Sequence, residues 1–197
     1  MIKMDDVMKA VQPHRGDAIV ISGRATRQWE RVSTQRELDL PLGDPAMGGH
    51  ASFALGLALA QPHRKVVLFD SEGDIQMNLG VLAMIAEQKP KNFYHLLLDN
   101  ECYATTGGQP VPNAKVMAYD MIAKGCGYPS AHAFTNLESF TVSIGRILSE
   151  PGPVMVAVKI VPEIENVPIG QRTPRSKRTR NDSACLASAS ASSCSAA

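Results

Sequence analysis

The stretch KVVLFDSEGDIQMNLGVLAMIAEQ, residues 65–88, decides the fold. Its first six residues, 65–70, form a short apolar run rich in branched side chains, the pattern of a strand buried on both faces. Ser71-Glu72-Gly73-Asp74 follows at once, and from Ile75 the apolar positions Met77, Leu79, Leu82 and Ile85 recur at near-helical spacing as a core-facing stripe. Strand, tight polar turn, then helix is the unit of a parallel α/β sheet.

Working outward, similar apolar runs stand at 18–22, 93–99 and 154–160. Helical stretches are expected at 3–11, 48–60, 75–87, 114–124 and 136–149, with Pro13, Pro62, Pro90 and Pro151 as breakers between elements. The expected fold is α/β, an open and mainly parallel sheet flanked by helices, in one domain over residues 1–169. After Ile169 the composition turns basic and Ser/Ala-rich with Leu186 as its single large apolar residue, so 170–197 is expected to be a disordered tail. There is no internal repeat.

The order of these elements places chemistry. Ligands of open parallel sheets collect at the carboxyl ends of strands, and a helix N-terminus there presents free N–H groups to an anion. Gly73 and Asp74 therefore stand where a phosphate would bind. The run 93–99 ends in Asp99-Asn100-Glu101-Cys102-Tyr103, which puts Asn100 at the same sheet edge, 28 residues after Glu72. Magnesium takes hard oxygen ligands, one or two from protein side chains, with phosphate and water completing the octahedron. Glu72 and Asn100 fit that recipe, and a main-chain oxygen near Cys102 adds a third ligand. A solvated carboxylate is the plain alternative for Glu72.

These segments, with DPAMGGHASFALGLALA at 44–60 and DNECYATTGGQ at 99–109, resemble the thiamine-diphosphate enzymes, whose signature is Gly-Asp-Gly followed some distance later by an Asn in a strand-end turn. Within that family the chain is similar to the small diphosphate-binding (β) subunits of sulfopyruvate decarboxylase and to the matching domain of phosphonopyruvate decarboxylase, over roughly residues 1–165. The resemblance implies thiamine diphosphate and Mg2+ as cofactors, with Glu72, Asn100 and the Cys102 main-chain oxygen as metal ligands. It implies that Gly23, Arg24, Gly73 and Asp74 line the diphosphate, that Tyr103 contacts the cofactor, that Met47 props it, and that main-chain groups at Pro45 and Met47 meet the aminopyrimidine ring. It further implies a lyase that decarboxylates a small anionic 2-oxoacid, and an activating glutamate on a separate pyrimidine-binding domain. One domain has no room for that glutamate, so a pyrimidine-binding (α) subunit in a hetero-oligomer is expected.

Ser71-Glu72-Gly73 departs from Gly-Asp-Gly: charge is kept, while the carboxylate gains a methylene of reach. Asp70 and Asp74 stand as alternative ligands, and calcium or manganese as alternative ions. His50 reads equally as a helix-packing residue and as a catalytic contact, and Gln109, with Thr105 and Thr106, reads equally as turn chemistry and as a group near the reacting centre. Arg24, Arg27 and Arg31 suit a doubly anionic substrate. The same site would also serve an acetolactate-synthase-like or other thiamine-diphosphate subunit, or a non-catalytic regulatory subunit with a decayed metal site.

Several classes are set aside. No Gly-x-Gly-x-x-Gly opens a helix, which argues against a nicotinamide cofactor. Cys102, Cys126, Cys185 and Cys194 show neither Cys-x-x-Cys nor metal-ligand spacing, which argues against zinc and iron–sulfur clusters. The net charge of +1 arises from the tail, whose removal leaves 15 basic against 18 acidic residues, so no nucleic-acid partner is expected. No apolar run reaches the roughly 18 residues of a membrane span, and the expectation is a cytoplasmic protein without membrane contact.

Overall fold

The computed structural model describes residues 1–42 and 47–164. Six strands form one parallel sheet: β1 (Ile19–Ile21), β2 (Asp39–Leu40), β3 (Val66–Ser71), β4 (Phe93–Asp99), β7 (Ser130–Phe134) and β8 (Val154–Lys159), in spatial order β2-β1-β3-β4-β8-β7. The short β5 (Cys102–Tyr103) and β6 (Gln109–Pro110) make a separate antiparallel ribbon. Seven α-helices, α1 (Met4–Val11), α2 (Thr26–Val32), α3 (His50–Ala60), α4 (Glu72–Met77), α5 (Val81–Gln88), α6 (Tyr119–Cys126) and α7 (Leu137–Ile147), and four single-turn 3-10 helices complete the described fold.

The side chains of the central strands alternate between two cores. Val66 and Leu68 of β3, Phe93 and Leu97 of β4, and Met155 and Ala157 of β8 point to one face, where α3, α5 and α6 bury Leu55, Leu82, Ile85 and Tyr119. Val67, Phe69, Leu96, Leu98, Val156 and Val158 point to the other, against Val7 and Met8 of α1, Trp29 of α2 and Ile144 of α7. Double coverage is why these strands read as continuous apolar runs.

The expected strands match closely, β4 residue for residue. Two strands of the main sheet, both strands of the ribbon and the helix α2 escape the pattern. β2 is two residues long, and β7, Ser-Ala-His-Ala-Phe, is an edge strand that needs no apolar alternation on its open side. The helix expected from residue 75 starts instead at Glu72, because the Ser71 hydroxyl accepts a hydrogen bond from the Asp74 N–H and caps the turn. It then breaks at residues 78–80, where the Asn78 amide donates to the Gly48 carbonyl at 3.0 Å. The helix expected at 114–124 occupies only the later part of that range and runs on to Cys126. The expected tail lies outside the described residues.

The connection after β1 runs outward to β2, and the connection after β3 runs the opposite way to β4. The carboxyl ends of β1 and β3 thus flank a topological switch point, where open α/β sheets form a crevice. No described helix is long and apolar enough to cross a membrane.

Candidate functional site

Glu72 opens α4 and is fully buried. One carboxylate oxygen, Oε2, accepts the main-chain N–H of Asn100 at 3.3 Å, and the other, Oε1, is buried without a partner. Burial pushes the carboxyl up to about 7, and the nearby Asp99 charge adds to the rise while main-chain donors oppose it. Asn100 ends β4, and its side-chain oxygen accepts the Cys102 N–H at 3.1 Å across a turn in which Glu101 takes a left-handed φ of 63°. Two strand tips 28 residues apart are therefore in direct contact.

Five carboxylates are buried among the described residues, and four are matched by a cation or an imidazole. Asp39 pairs with Arg15 at 2.8 Å, Asp70 with His95 at 2.9 Å, Asp74 with His50 at 2.7 Å and Asp99 with Lys159 at 2.8 Å. Glu72 has main-chain donors only. A buried carboxylate with an open lone pair and no counter-charge is where a cation restores balance.

Asp70 and Asp74, the alternative ligands, are engaged elsewhere. Asp74 accepts the Gly48 N–H at 2.7 Å as well as contacting His50 Nδ1, and Asp70 accepts the Ser71 N–H. His50, Asp70 and Asp74 do bring ligand-type atoms within 4.8 Å of one another, but hydrogen bonds hold those atoms. Burial alone would raise the Asp74 carboxyl, yet the His50 hydrogen bond and charge hold it below the usual range. Burial opposes a charged His50, and the Asp74 hydrogen bond and charge, together with the Asp70 charge and the Leu42 main chain, outweigh it, so the imidazole sits above its ordinary value. The pair ties the Met47–Gly48 turn to the first turn of α4.

A cleft with about 850 Å3 of space between protein atoms, part of it open to solvent, lies over these strand ends. Its lining includes Arg24, Met47, Gly73, Asp74, Asn100, Cys102 and Tyr103 from the expected site. Thr105 and Thr106 also line it. Glu72 sits beneath this floor, flanked by Ser71 and Gly73. Gly23 lies beside it, so close to β3 that a β-carbon would stand 2.7 Å from the Phe69 carbonyl. His50 is buried behind Asp74. Gln109 is outside the lining, exposed, with its side chain bonded to Thr106. Arg31 faces away and pairs with Asp5. Pro45 lies outside the described residues. Burial and the Glu72 and Glu101 charges push the Cys102 thiol up, so its contribution to a hard cation would be the main-chain oxygen. Met77, expected to face the core, is instead exposed and lines the cleft, because the helix breaks directly after it, and sequence reasoning missed Gln28 and Glu163, which line the cleft from segments with no motif.

The sequence profile of the thiamine pyrophosphate enzymes, C-terminal TPP-binding domain, matches residues 22–158. The chain belongs to this family. It is 35% identical to phosphonopyruvate decarboxylase of Streptomyces viridochromogenes over 148 residues, 74% of this chain and 36% of that enzyme. It is 32% identical to sulfopyruvate decarboxylase subunit beta of Methanococcus maripaludis over 165 residues, 83% of this chain and 86% of that subunit. The chain thus spans about a third of the single-chain relative and most of the beta subunit. Among solved structures, benzoylformate decarboxylase from Polynucleobacter necessarius superposes with a TM-score of 0.67 at 16% identity, covering 83% of this chain and 34% of that one, which shows the shared fold. In a TPP-binding domain, thiamine pyrophosphate (thiamine diphosphate) is the ligand to be fitted. The open oxygen of Glu72, the side-chain-free floor at Gly73 and the oxygen donors at Asn100 and Cys102 suit a cation-bridged diphosphate.

Proposed function

We propose that this chain is the diphosphate- and Mg2+-binding subunit of a thiamine-diphosphate-dependent decarboxylase acting on a small anionic 2-oxoacid such as sulfopyruvate or phosphonopyruvate. The observation that carries the reading is Glu72: a buried carboxylate without counter-charge, joined to Asn100 beneath a cleft at the sheet's switch point. The names of the relatives supply the substrate class.

Glu72, the Asn100 side chain and the Cys102 main-chain oxygen hold the ion in this reading. Gly73 and Asp74 stand beside the diphosphate at the start of α4, and Gly23 and Arg24 border it from the β1 side. Met47 and Pro45 meet the pyrimidine end. The chemistry that bound thiamine diphosphate supplies is addition of a thiazolium carbanion to the 2-oxo group and an electron sink for loss of carbon dioxide. The residues of this chain anchor and orient. The activating glutamate and the remaining pocket wall come from a pyrimidine-binding α subunit.

Glu72→Ala and Asn100→Ala each abolish Mg2+-dependent binding of thiamine diphosphate in calorimetric titration. Unchanged titrations would show the site to lie elsewhere. Carbon dioxide release from sulfopyruvate, phosphonopyruvate and pyruvate is expected only with the partner subunit present, and robust turnover by the chain alone would refute the two-subunit reading. Cofactor binding without activity alongside any partner would favour a regulatory role.

A further inference from the structure

Lys159 ends β8 opposite Asp99, its register partner on β4. Its ammonium donates to Glu101 Oε1 at 2.9 Å and to the Ala114 carbonyl at 3.1 Å, and it pairs with Asp99 Oδ2 at 2.8 Å. Asp99 and Glu101 are the residues on either side of Asn100. One side chain therefore grips both flanks of the turn that presents Asn100 and the Cys102 main chain.

The turn needs such a grip. Glu101 stands in the left-handed region, which costs a non-glycine residue of order 1 kcal/mol, so its own backbone preference works against the conformation. The other holds on the turn are main-chain groups: Glu101 N–H to Asp99 Oδ1 and Asn100 N–H to Glu72 Oε2, each at 3.3 Å, Cys102 N–H to Asn100 Oδ1, Val111 N–H to the Glu101 carbonyl at 3.2 Å, Ile160 N–H to the Asp99 carbonyl at 2.9 Å, and the pairing of Cys102 with Pro110. Lys159 also settles which acid is open to an ion. With Oδ2 on the ammonium and Oδ1 on the Glu101 N–H, both oxygens of Asp99 are engaged, while Glu72 Oε1 is not.

We propose that Lys159 is a positioning residue of the ion site: it fixes the Asn100–Cys102 turn against Glu72 and withholds Asp99 and Glu101 from the ion, so that the site selects a small octahedral cation. This rests on the reading above, in which Glu72 and Asn100 hold a divalent ion. The physical basis is that Mg2+ demands near-ideal octahedral geometry, whereas Ca2+ accepts more oxygens in a looser shell. Without the clamp, the turn relaxes and two further carboxylates become available, a change that penalises Mg2+ and favours Ca2+.

The test is calorimetric titration of MgCl2 and of CaCl2 into the full chain in a fixed excess of thiamine diphosphate, with the heat of ion binding to the free cofactor subtracted, for the wild type, Lys159→Met, Lys159→Arg and Glu72→Gln. Lys159→Met is expected to lower the ratio of Mg2+ to Ca2+ affinity by about tenfold or more, the scale on which residues behind metal ligands act. Lys159→Arg, which keeps the charge and the donors, should restore the ratio to within about threefold. A purely structural or purely electrostatic role would move both affinities together, so an unchanged ratio in Lys159→Met overturns the inference. Glu72→Gln separates the two levels: if it binds both ions like the wild type, the ion site itself is misplaced; if it loses them while Lys159→Met keeps the wild-type ratio, only the role of Lys159 falls. Should Lys159→Met fail to fold, Lys159→Gln, which keeps much of the side chain and loses the charge, must lower the ratio by about threefold, and a wild-type ratio there overturns the inference.

Discussion

The edge of the Tyr103 ring lies 2.9 Å from the point where a β-carbon on Gly73 would sit. The ribbon that follows Asn100 is thus packed directly on the first turn of α4, and the absence of a side chain at residue 73 is what lets the two loops of the site close on each other. Gly73→Ala must push the ring aside, at a cost of about 1–3 kcal/mol typical of overpacking. Urea denaturation should show that loss, and adding Tyr103→Ala should recover most of it. A double variant that shows simple additivity would mean that the ring is not the obstacle.

Glu72 gives the protein an unusual pH dependence. Its carboxyl is raised from 4.5 to about 7 by burial, so between those values the folded state binds more protons than the unfolded one. The stability linked to this group is full below pH 4.5 and is lost as pH rises to about 7, by up to about 3 kcal/mol in the absence of divalent ions. Denaturation of metal-free protein at pH 5 and pH 8 should show this decline, and Glu72→Gln should remove it.

Asp74 holds two partners, the Gly48 N–H at 2.7 Å and His50 at 2.7 Å. In Asp74→Ala the imidazole loses the hydrogen bond and charge that do most to oppose burial, and its titration by NMR should move to lower pH. The cost in stability is about 1–3 kcal/mol, that of leaving buried groups unpaired. A His50 titration that stays in place would exclude the pairing.

Far from the cleft, Asp39 accepts from both Arg15 and the Trp29 indole at 2.8 Å. Asp39→Ala strands a buried guanidinium and should cost about 3–5 kcal/mol by chemical denaturation, whereas Arg15→Met combined with Asp39→Leu should cost less than Asp39→Ala alone. Equal losses would mean that packing rather than charge dominates there.

Much of the site was legible because it is carried by local grammar. An apolar run that ends in Ser71-Glu72-Gly73-Asp74, and another that ends in Asp99-Asn100, are strands whose tips share one sheet edge, and β3 and β4 do pair in register from Val66 with Phe93 to Ser71 with Leu98. Seven of the expected site residues line one cleft. The edge strand β7 and the helix α2 were not legible, since neither has the apolar periodicity that reports burial on a fixed face.

By itself the sequence determined the α/β class, the central strands and the meeting of Glu72 with Asn100, because periodicity and strand-end turns are properties of neighbouring residues. Which buried acids have a basic side chain beside them was decided only by the tertiary structure. Asp70, Asp74 and Asp99 look as available as Glu72 in one dimension, and they differ because His95, His50 and Lys159, each 24 residues or more away along the chain, arrive beside them. Pairing of buried charge depends on distances of a few ångströms across the sheet, which spacing along the chain does not encode.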